Sequence, residues 1–310
     1  MRQVVYNKYG SSDVLKVKDT DKPSLKNKNS LLIKVHYSSL NAIDWKNRKG
    51  DFRIASGLFK PRTKQGFDVV GSVENKSLDV QEFSIGEKIV ALLGNFEGGA
   101  LSEYITIKKE NAVRIPEGID MKEMAGIPMA GITAWMALVK SGKIKQGDNV
   151  LINGGSSGVG HLAIQIAKAY GAEVTSVSST KNLEFCKALG ADTVISYQTE
   201  DFLTRNEKYD IIFDVVFNKS LKKTRHLLTK KGIYIGTTPS ITMIKELLLT
   251  KQAKFVSVKP NKEALTDLLR LVQENKLVVK IDKEFVLDNI VEAHNYIEQS
   301  RTIGKVIVKM

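Results

Sequence analysis

Three glycines, Gly155, Gly158 and Gly160, punctuate the stretch Asn149-Val-Leu-Ile-Asn-Gly-Gly-Ser-Ser-Gly-Val-Gly160. Residues of this type at this spacing can hold a phosphate. A strand that turns tightly into a helix presents free backbone N–H groups and the positive end of the helix dipole to an anion. The glycines permit the turn, let a pyrophosphate touch the backbone and let helix pack closely on strand. Gly155, Gly158, Val159 and Gly160 are therefore the candidate pyrophosphate contacts. The spacing is GxxGxG rather than GxGxxG, so the dinucleotide fingerprint is met approximately, and a turn of this kind alone also reads as a plain structural connection.

A second cluster lies about one βα unit downstream, at Val177-Ser-Ser-Thr-Lys-Asn182. An NAD site places an Asp or Glu at the end of this second strand to hold the ribose 2′-hydroxyl. This chain has no carboxylate there: Glu173 is at the wrong end of the strand and Glu184 is inside the next helix. Ser178, Ser179 and Thr180 offer hydroxyls and Lys181 a positive charge, a set suited to a 2′-phosphate. The competing reading of Lys181 is an ordinary solvated residue of a first helical turn. NADPH is the cofactor expected.

These residues need a scaffold, and the surrounding pattern supplies one. Apolar positions after Val159 fall at Leu162, Ala163, Ile166, Ala167 and Tyr170, one face of a helix. Strands are expected at 173–178, 193–196, 209–216 and 232–236, and helices at 181–189 and 220–229. Near-continuous Val/Ile/Phe runs alternating with short helices indicate a parallel sheet covered on both faces, whose ligands bind at the carboxyl ends of its strands.

The flanks differ. Residues 1–115 hold short alternating strands at 31–35, 67–73, 88–92, 101–107 and 112–115, separated by turn signals such as Asp21-Lys-Pro23 and Glu97-Gly-Gly99. After residue 260 a helix (262–274), a strand (283–286), a helix (288–299) and a strand (305–309) are expected, and this tail completes the first domain. The fold class is α/β: a barrel-like β domain of residues 1–120 and 261–310, and a doubly wound parallel-sheet domain of residues 121–260.

Composition narrows the partners. A chain of 310 residues can bury two cores. It has no 18-residue apolar run and opens directly on MRQVVYNKYG without a secretory leader, so a cytoplasmic protein with no membrane partner is expected. The single cysteine, Cys186, rules out an internal disulfide and a cysteine-rich metal site, and sits at an apolar helical position. The net charge of +13 concentrates in residues 121–260, which carry 19 basic and 11 acidic side chains. Lys219, Lys222, Lys223, Arg225, Lys230 and Lys231 run without an intervening acid, which reads first as a solvated face and second as an attraction for anions.

Six ordered segments make the chain recognisable: Leu40-Asn-Ala-Ile-Asp-Trp-Lys-Asn-Arg-Lys-Gly50, Gly66-Phe-Asp-Val-Val-Gly71, Gly131-Ile-Thr-Ala-Trp-Met-Ala-Leu138, the turn at 153–160, Leu189-Gly-Ala-Asp192 and Gly304-Lys-Val-Ile-Val308. In register, they resemble the medium-chain dehydrogenase/reductase superfamily in its zinc-free quinone oxidoreductase branch. The resemblance implies a GroES-like catalytic domain split by a Rossmann domain, an active site in the cleft between them, and a homodimer or homotetramer. It also places Asn41 in the lining beside the nicotinamide, and Lys46 at a lysine that contacts cofactor and substrate and stabilises an enolate or hydroquinone anion. Thr133 falls where the family approaches the nicotinamide, and Tyr197 where a residue packs on the adenosine phosphate. Gly236-Thr-Thr238, with Gly236 and Thr237 as cofactor contacts, matches the strand end on the nicotinamide side.

Zinc-holding members of the superfamily use cysteine and histidine at segments that here read Asn41-Ala-Ile-Asp44 and Gly66-Phe-Asp68. The four histidines, His36, His161, His226 and His294, are scattered without ligand spacing. No metal is expected. Alcohol oxidation loses its main source of barrier lowering without a Lewis acid, whereas a quinone or an α,β-unsaturated carbonyl spreads the incoming charge to a conjugated oxygen. The leading expectation is thus an NADPH-dependent reductase of quinones or enones. A 2-enoyl thioester reductase is the alternative, though no acidic or tyrosine proton donor is identified for it. An RNA-binding, crystallin-like role is permitted by the charge, but the chain lacks an aromatic-interleaved basic stripe on which bases stack.

Overall fold

The computed structural model describes residues 1–25, 27–94, 96–237, 246–247 and 249–310. They form two compact units: Met1–Met129 with Lys259–Leu269 and Val279–Met310, and Ala130–Val258 with Arg270–Val278. The sequence reading divides at 120 and 260. The packed boundary follows hydrogen bonds instead: Gln165 donates to the Val278 carbonyl and accepts the Val278 N–H, both at 2.9 Å, which ties 270–278 to the second unit.

The second unit is built on a six-stranded sheet, parallel throughout, in the spatial order Thr193–Ser196, Glu173–Ser178, Asn149–Asn153, Tyr209–Asp214, Leu228–Gly236 and Ala253–Phe255. The chain runs outward from Asn149–Asn153 to one edge, then returns to its other side. The strand order therefore switches between Asn149–Asn153 and Tyr209–Asp214, the place where such sheets bind ligands. Leu151, Val177, Ile195, Ile212 and Tyr234 bury one face of this sheet together with Phe202, Leu221 and Leu227.

One expectation shifts here. The helix expected over 220–229 is short, Leu221–Thr224 with a 3₁₀ turn Arg225–Leu227, because Leu228 already pairs with Tyr209 in the sheet. The periodicity at 221, 224, 227 and 228 fits a helix, but strand pairing overrides it. The basic run around it is a solvated face: Lys222, Lys223, Arg225, Lys230 and Lys231 are exposed, while Leu221 and Thr224 turn inward. Cys186 is buried, and burial pushes its thiol pKa up.

The first unit centres on the strand Ser30–Leu40, twice as long as expected. Its first half pairs with Tyr104–Lys108 and its far end with Lys305–Lys309, both antiparallel, while Asp68–Lys76 runs along its other edge. Ser38 and Ser39 look like a strand end in sequence, yet both are buried and paired. Register shifts at Leu32/Ile33 and Val35/Tyr37 curve the strand so that one element serves three partners. Ile281–Val286 runs parallel to Lys305–Lys309, and Lys88–Leu92 and Ala112–Arg114 extend the other edge. The helices Ala42–Lys49 and Ile290–Glu298 belong to this unit. Among the described residues no helix is long and apolar enough to cross a membrane.

Candidate active-site residues

The glycine turn leaves Asn149–Asn153 at the switch point. The left-handed residue is Gly154 (φ +98°), one position before the three glycines singled out in the sequence. Gly155 and Gly160 are required by contact rather than by φ. A Cβ on Gly155 would stand 1.9 Å from Ser176 Oγ, and one on Gly160 would stand 2.1 Å from the Gly154 carbonyl oxygen. Ser157 fastens the turn by donating to Gly154 O at 2.7 Å and accepting the Gly160 N–H at 3.1 Å. Gly154 and Gly155 spend their amides on Val177 O at 2.9 and 3.0 Å. The amides of Gly158 and Val159 take no acceptor among the described residues, and both residues are half-buried at the N-terminus of the helix Gly160–Ala169. Two open donors on a helix N-terminus suit an anion.

The second strand, Glu173–Ser178, delivers the 2′-phosphate candidates to the same edge. Ser178 and Ser179 are buried, whereas Thr180 and Lys181 are exposed. Thr180 Oγ1 shares a 2.7 Å hydrogen bond with Ser196 Oγ, so one hydroxyl proton of that pair is used within the protein. Lys181 has no ion-pair partner among the described residues, which leaves its charge for a ligand. Tyr197 joins this group because its N–H donates to Ser178 O at 3.0 Å, and its ring is exposed. Asn182, which the sequence reading passes over, bridges the two clusters by donating to Ser156 Oγ at 3.0 Å.

A further missed residue anchors this edge. Asp214 is fully buried at the end of Tyr209–Asp214. It accepts from Asn153 Nδ2 (2.8 Å), Tyr234 OH (2.8 Å) and the N–H groups of Phe217 (2.8 Å) and Lys219 (3.0 Å). Burial and this carboxylate push the Tyr234 hydroxyl strongly upward, so it stays a donor. The only sequence signal was an Asp closing the short apolar run at 211–213. Gly236 ends the neighbouring strand, and Thr237 Oγ1 donates to Val215 O at 3.3 Å. Thr238 lies outside the described residues. Thr133 is buried in the helix Pro128–Trp135.

The first unit holds a different constellation. Asn41 caps the helix Ala42–Lys49, and Asp44 accepts the Asn41 N–H at 2.8 Å and the Gly66 N–H at 2.9 Å. Asn41 Nδ2 donates to Asp68 Oδ2 at 2.8 Å, while Asn41 Oδ1 accepts from Lys305 Nζ at 2.6 Å. Asp68 also accepts from Ser39 Oγ and from the Met129 N–H (2.8 Å), with Lys305 Nζ 3.9 Å away. Lys305 is buried, and that burial lowers its pKa against the pull of Asp68 and Asp44. Burial likewise raises the Asp44 carboxyl to about 7, although two backbone N–H bonds work in the other direction. Both polar ends of the Asn41 amide are thus tied into the protein rather than turned to a ligand. Lys46 is half-buried on the same helix, 5.5 Å from the Trp45 ring centroid, with no carboxylate partner among the described residues.

The histidines serve backbone and packing. His36 shares a bond with Ser72 Oγ (3.0 Å), His161 Nδ1 lies 3.0 Å from Ser157 O and His226 Nε2 2.8 Å from Leu203 O, while His294 is fully buried. Among the described residues no group of three His, Cys, Asp or Glu side chains is arranged to hold a metal ion.

A doubly wound parallel sheet with an open glycine turn at its switch point, in one chain with a GroES-like sheet, is the architecture of a dinucleotide-dependent oxidoreductase. Comparison with known proteins bears this out. Residues 27–117 match the alcohol dehydrogenase GroES-like domain family and residues 189–308 the zinc-binding dehydrogenase family. The chain is 35% identical over 252 residues to the chloroplastic quinone-oxidoreductase homolog of Spinacia oleracea, covering 78% of this chain and 76% of that one. It is 33% identical over 253 residues to the chloroplastic NADPH-dependent alkenal/one oxidoreductase of Arabidopsis thaliana, covering 78% and 64%. Its structure superposes on the quinone oxidoreductase from Coxiella burnetii with a TM-score of 0.92 at 34% identity, over 100% of this chain and 99% of that one. The chain belongs to the medium-chain dehydrogenase/reductase superfamily, in its quinone oxidoreductase branch. It is an NAD(P)H-dependent oxidoreductase of small-molecule substrates.

Proposed function

We propose that this chain reduces quinones and conjugated enones with NADPH, and that it does so without zinc. The observation that carries the chemistry is the saturation of Asp44 and Asp68. These carboxylates stand in the segments matching the zinc-ligand positions of related enzymes, and every carboxylate oxygen already accepts a protein donor. A divalent ion there would have to displace those donors and sit beside the buried ammonium of Lys305. The residues do not fit zinc. A reaction without a Lewis acid needs an acceptor that delocalises the incoming charge by itself, as quinones and enones do.

The residues fit a phosphorylated dinucleotide, which supplies a hydride from its reduced nicotinamide when bound. The amides of Gly158 and Val159 hold its pyrophosphate. Ser179 and Lys181 hold the 2′-phosphate, a choice supported by a second-strand end that carries a free lysine and no carboxylate. Tyr197 packs on the adenosine. Lys46 stabilises the oxyanion that develops on the acceptor, and Asn41, held by Lys305 and Asp68, fixes the start of the helix that carries it. With this reading goes a homodimer or homotetramer, to be checked by light scattering.

The test is NADPH oxidation with a panel of quinones, enones, alkenals and enoyl thioesters, with EDTA present throughout. Turnover of quinones and enones, unchanged by EDTA and accompanied by negligible oxidation of simple alcohols, is the expected result. One zinc per chain lost together with activity, or brisk metal-independent oxidation of butanol, would overturn the reading.

A further inference from the structure

The segment 53–64 of the first unit inverts the normal burial pattern. Ile54 and Phe59 are each 93% exposed and Leu58 is 55% exposed, whereas Ser56, Thr63 and the following Gln65 are buried. The backbone holds this arrangement in place. The Arg62 N–H donates to Ser56 O at 2.8 Å, closing the loop on itself. The Tyr9 hydroxyl bonds Ser56 Oγ at 3.1 Å and donates to the Gly57 carbonyl. Gly57 has φ +118°, and a Cβ there would lie 2.1 Å from Lys60 O. With Ser56 and the Gly57 carbonyl fastened to Tyr9, so short a loop leaves Leu58 and Phe59 exposed to water.

Basic residues flank these apolar side chains along the segment. Arg53, Lys60, Arg62 and Lys64 are all exposed, and Asp51 is the one acid within 51–64. A neighbouring loop adds Phe96, 51% exposed, and the acid Glu97, whose carbonyl accepts the Lys64 N–H at 3.1 Å. Ile54 and Leu58 offer no π face to a nucleic-acid base and no hydrogen-bonding group to a polar protein surface, so with Phe59 they match hydrocarbon best. Exposed guanidinium and ammonium groups beside them match phosphate or carboxylate headgroups. A second copy of the chain is a poor occupant, because a symmetric contact would set the basic residues against themselves.

We propose that the loop 53–64 is a docking surface for an anionic lipid membrane. Ile54, Leu58 and Phe59 enter the headgroup boundary while Arg53, Lys60, Arg62 and Lys64 engage lipid charge. This inference concerns a surface contact, on which the lack of a spanning helix among the described residues is silent, and it does not depend on the identity of the hydride acceptor.

Co-sedimentation with vesicles tests it, using phosphatidylcholine alone and an equimolar mixture of phosphatidylcholine and phosphatidylglycerol. The protein should pellet with the mixed vesicles, not with phosphatidylcholine alone, and release as salt shortens the Debye length. Arg62→Gln with Lys64→Gln should weaken vesicle binding about 25-fold, at about five-fold per charge. Ile54→Ser with Phe59→Ser should weaken it by at least about ten-fold through lost apolar burial. Lys222→Gln with Lys223→Gln, on the other basic face, should leave it unchanged. The proposal fails if neither vesicle retains the protein, or if the Lys222/Lys223 variant loses as much binding as the Arg62/Lys64 variant. It fails equally if the Ile54/Phe59 variant keeps its vesicle affinity while the KM for a water-soluble quinone rises, which would make the patch a wall of the acceptor pocket. A change in oligomeric state of that variant, with vesicle affinity retained, would assign the patch to self-association and also overturn it.

Discussion

The nucleotide edge of the second unit and the buried network of the first are both rich in polar groups, but they are finished differently. At the edge, the amides of Gly158 and Val159 and the ammonium of Lys181 have no protein partners among the described residues. In the network, Asn41, Asp44, Asp68 and Lys305 consume one another's hydrogen bonds out of reach of water. A donor left open at the surface costs little, because water serves it until a ligand arrives. A buried one is costly unless it is paired. The contrast sorts groups open to a ligand from groups tied into the fold: the Asn41 network of the first unit is closed on itself, while the glycine turn of the second leaves donors open among the described residues.

The comparison breaks most visibly at Lys305. Lys305→Met should leave the Asp68 carboxylate buried without its ammonium and strip the Asn41 carbonyl of its donor. Chemical unfolding should then show a loss of about 3–5 kcal/mol. Lys305→Met combined with Asp68→Leu should recover part of it, since the uncompensated charge is gone. A single variant as stable as the parent would mean that the network is not scaffold.

At the nucleotide edge the expected cost falls on affinity instead. Lys181→Ala should weaken NADPH by about 10–150-fold, the worth of one charge-assisted contact of roughly 1.5–3 kcal/mol, and leave NADH nearly unchanged. Titration by fluorescence measures both. Equal losses for the two cofactors would remove Lys181 from the 2′-phosphate site.

Proton linkage probes the scaffold side of the contrast, where His294 and Asp44 are both buried. Burial, reinforced by the charge of Arg48, lowers the His294 pKa to about 3. Stability from that neutral ring is present above the unfolded value of about 6.5 and is lost as pH falls toward 3, by about 1.4 kcal/mol per pH unit. Asp44, raised by burial to about 7, runs oppositely: its share is present below the unfolded value of 3.8 and is lost as pH rises through 7. Between these limits the two slopes offset each other. Asp44→Asn should therefore uncover a denaturation midpoint that declines steadily from pH 6.5 to pH 4, and a flat profile in that variant would show that His294 is not held neutral.

The smallest effect is expected at Lys46, which is half-buried and open to solvent screening. Lys46→Met should lower enone turnover roughly five- to ten-fold at saturating NADPH, and turnover of strongly oxidising quinones less, since such acceptors stabilise their own negative charge. Identical losses on every acceptor would assign Lys46 to the cofactor alone.

Much of the sheet was legible in the chain. The strands 173–178, 193–196, 88–92 and 305–309 have the bounds that the sequence predicts. The glycine turn and the carboxylate-free strand end were legible because they are local: each depends on residues a few positions apart. The long strand Ser30–Leu40 was not legible, since Ser38 and Ser39 become strand only through pairing with residues 308 and 307. Asn182 gave no signal, because its partner Ser156 lies across a strand.

What the sequence determined by itself, then, is the class of chemistry. A second-strand end with a lysine and no acidic residue, and a single cysteine, are facts of composition and spacing that no folding can alter. Tertiary structure alone decided how the polar residues are used. Asn41 and Lys305 are 264 positions apart, and only the antiparallel pairing of Leu40 with Val306 brings an amide, two carboxylates and an ammonium into one dry cluster. Whether a charge is a site or a strut depends on what water it has lost, and burial is a property of the folded chain.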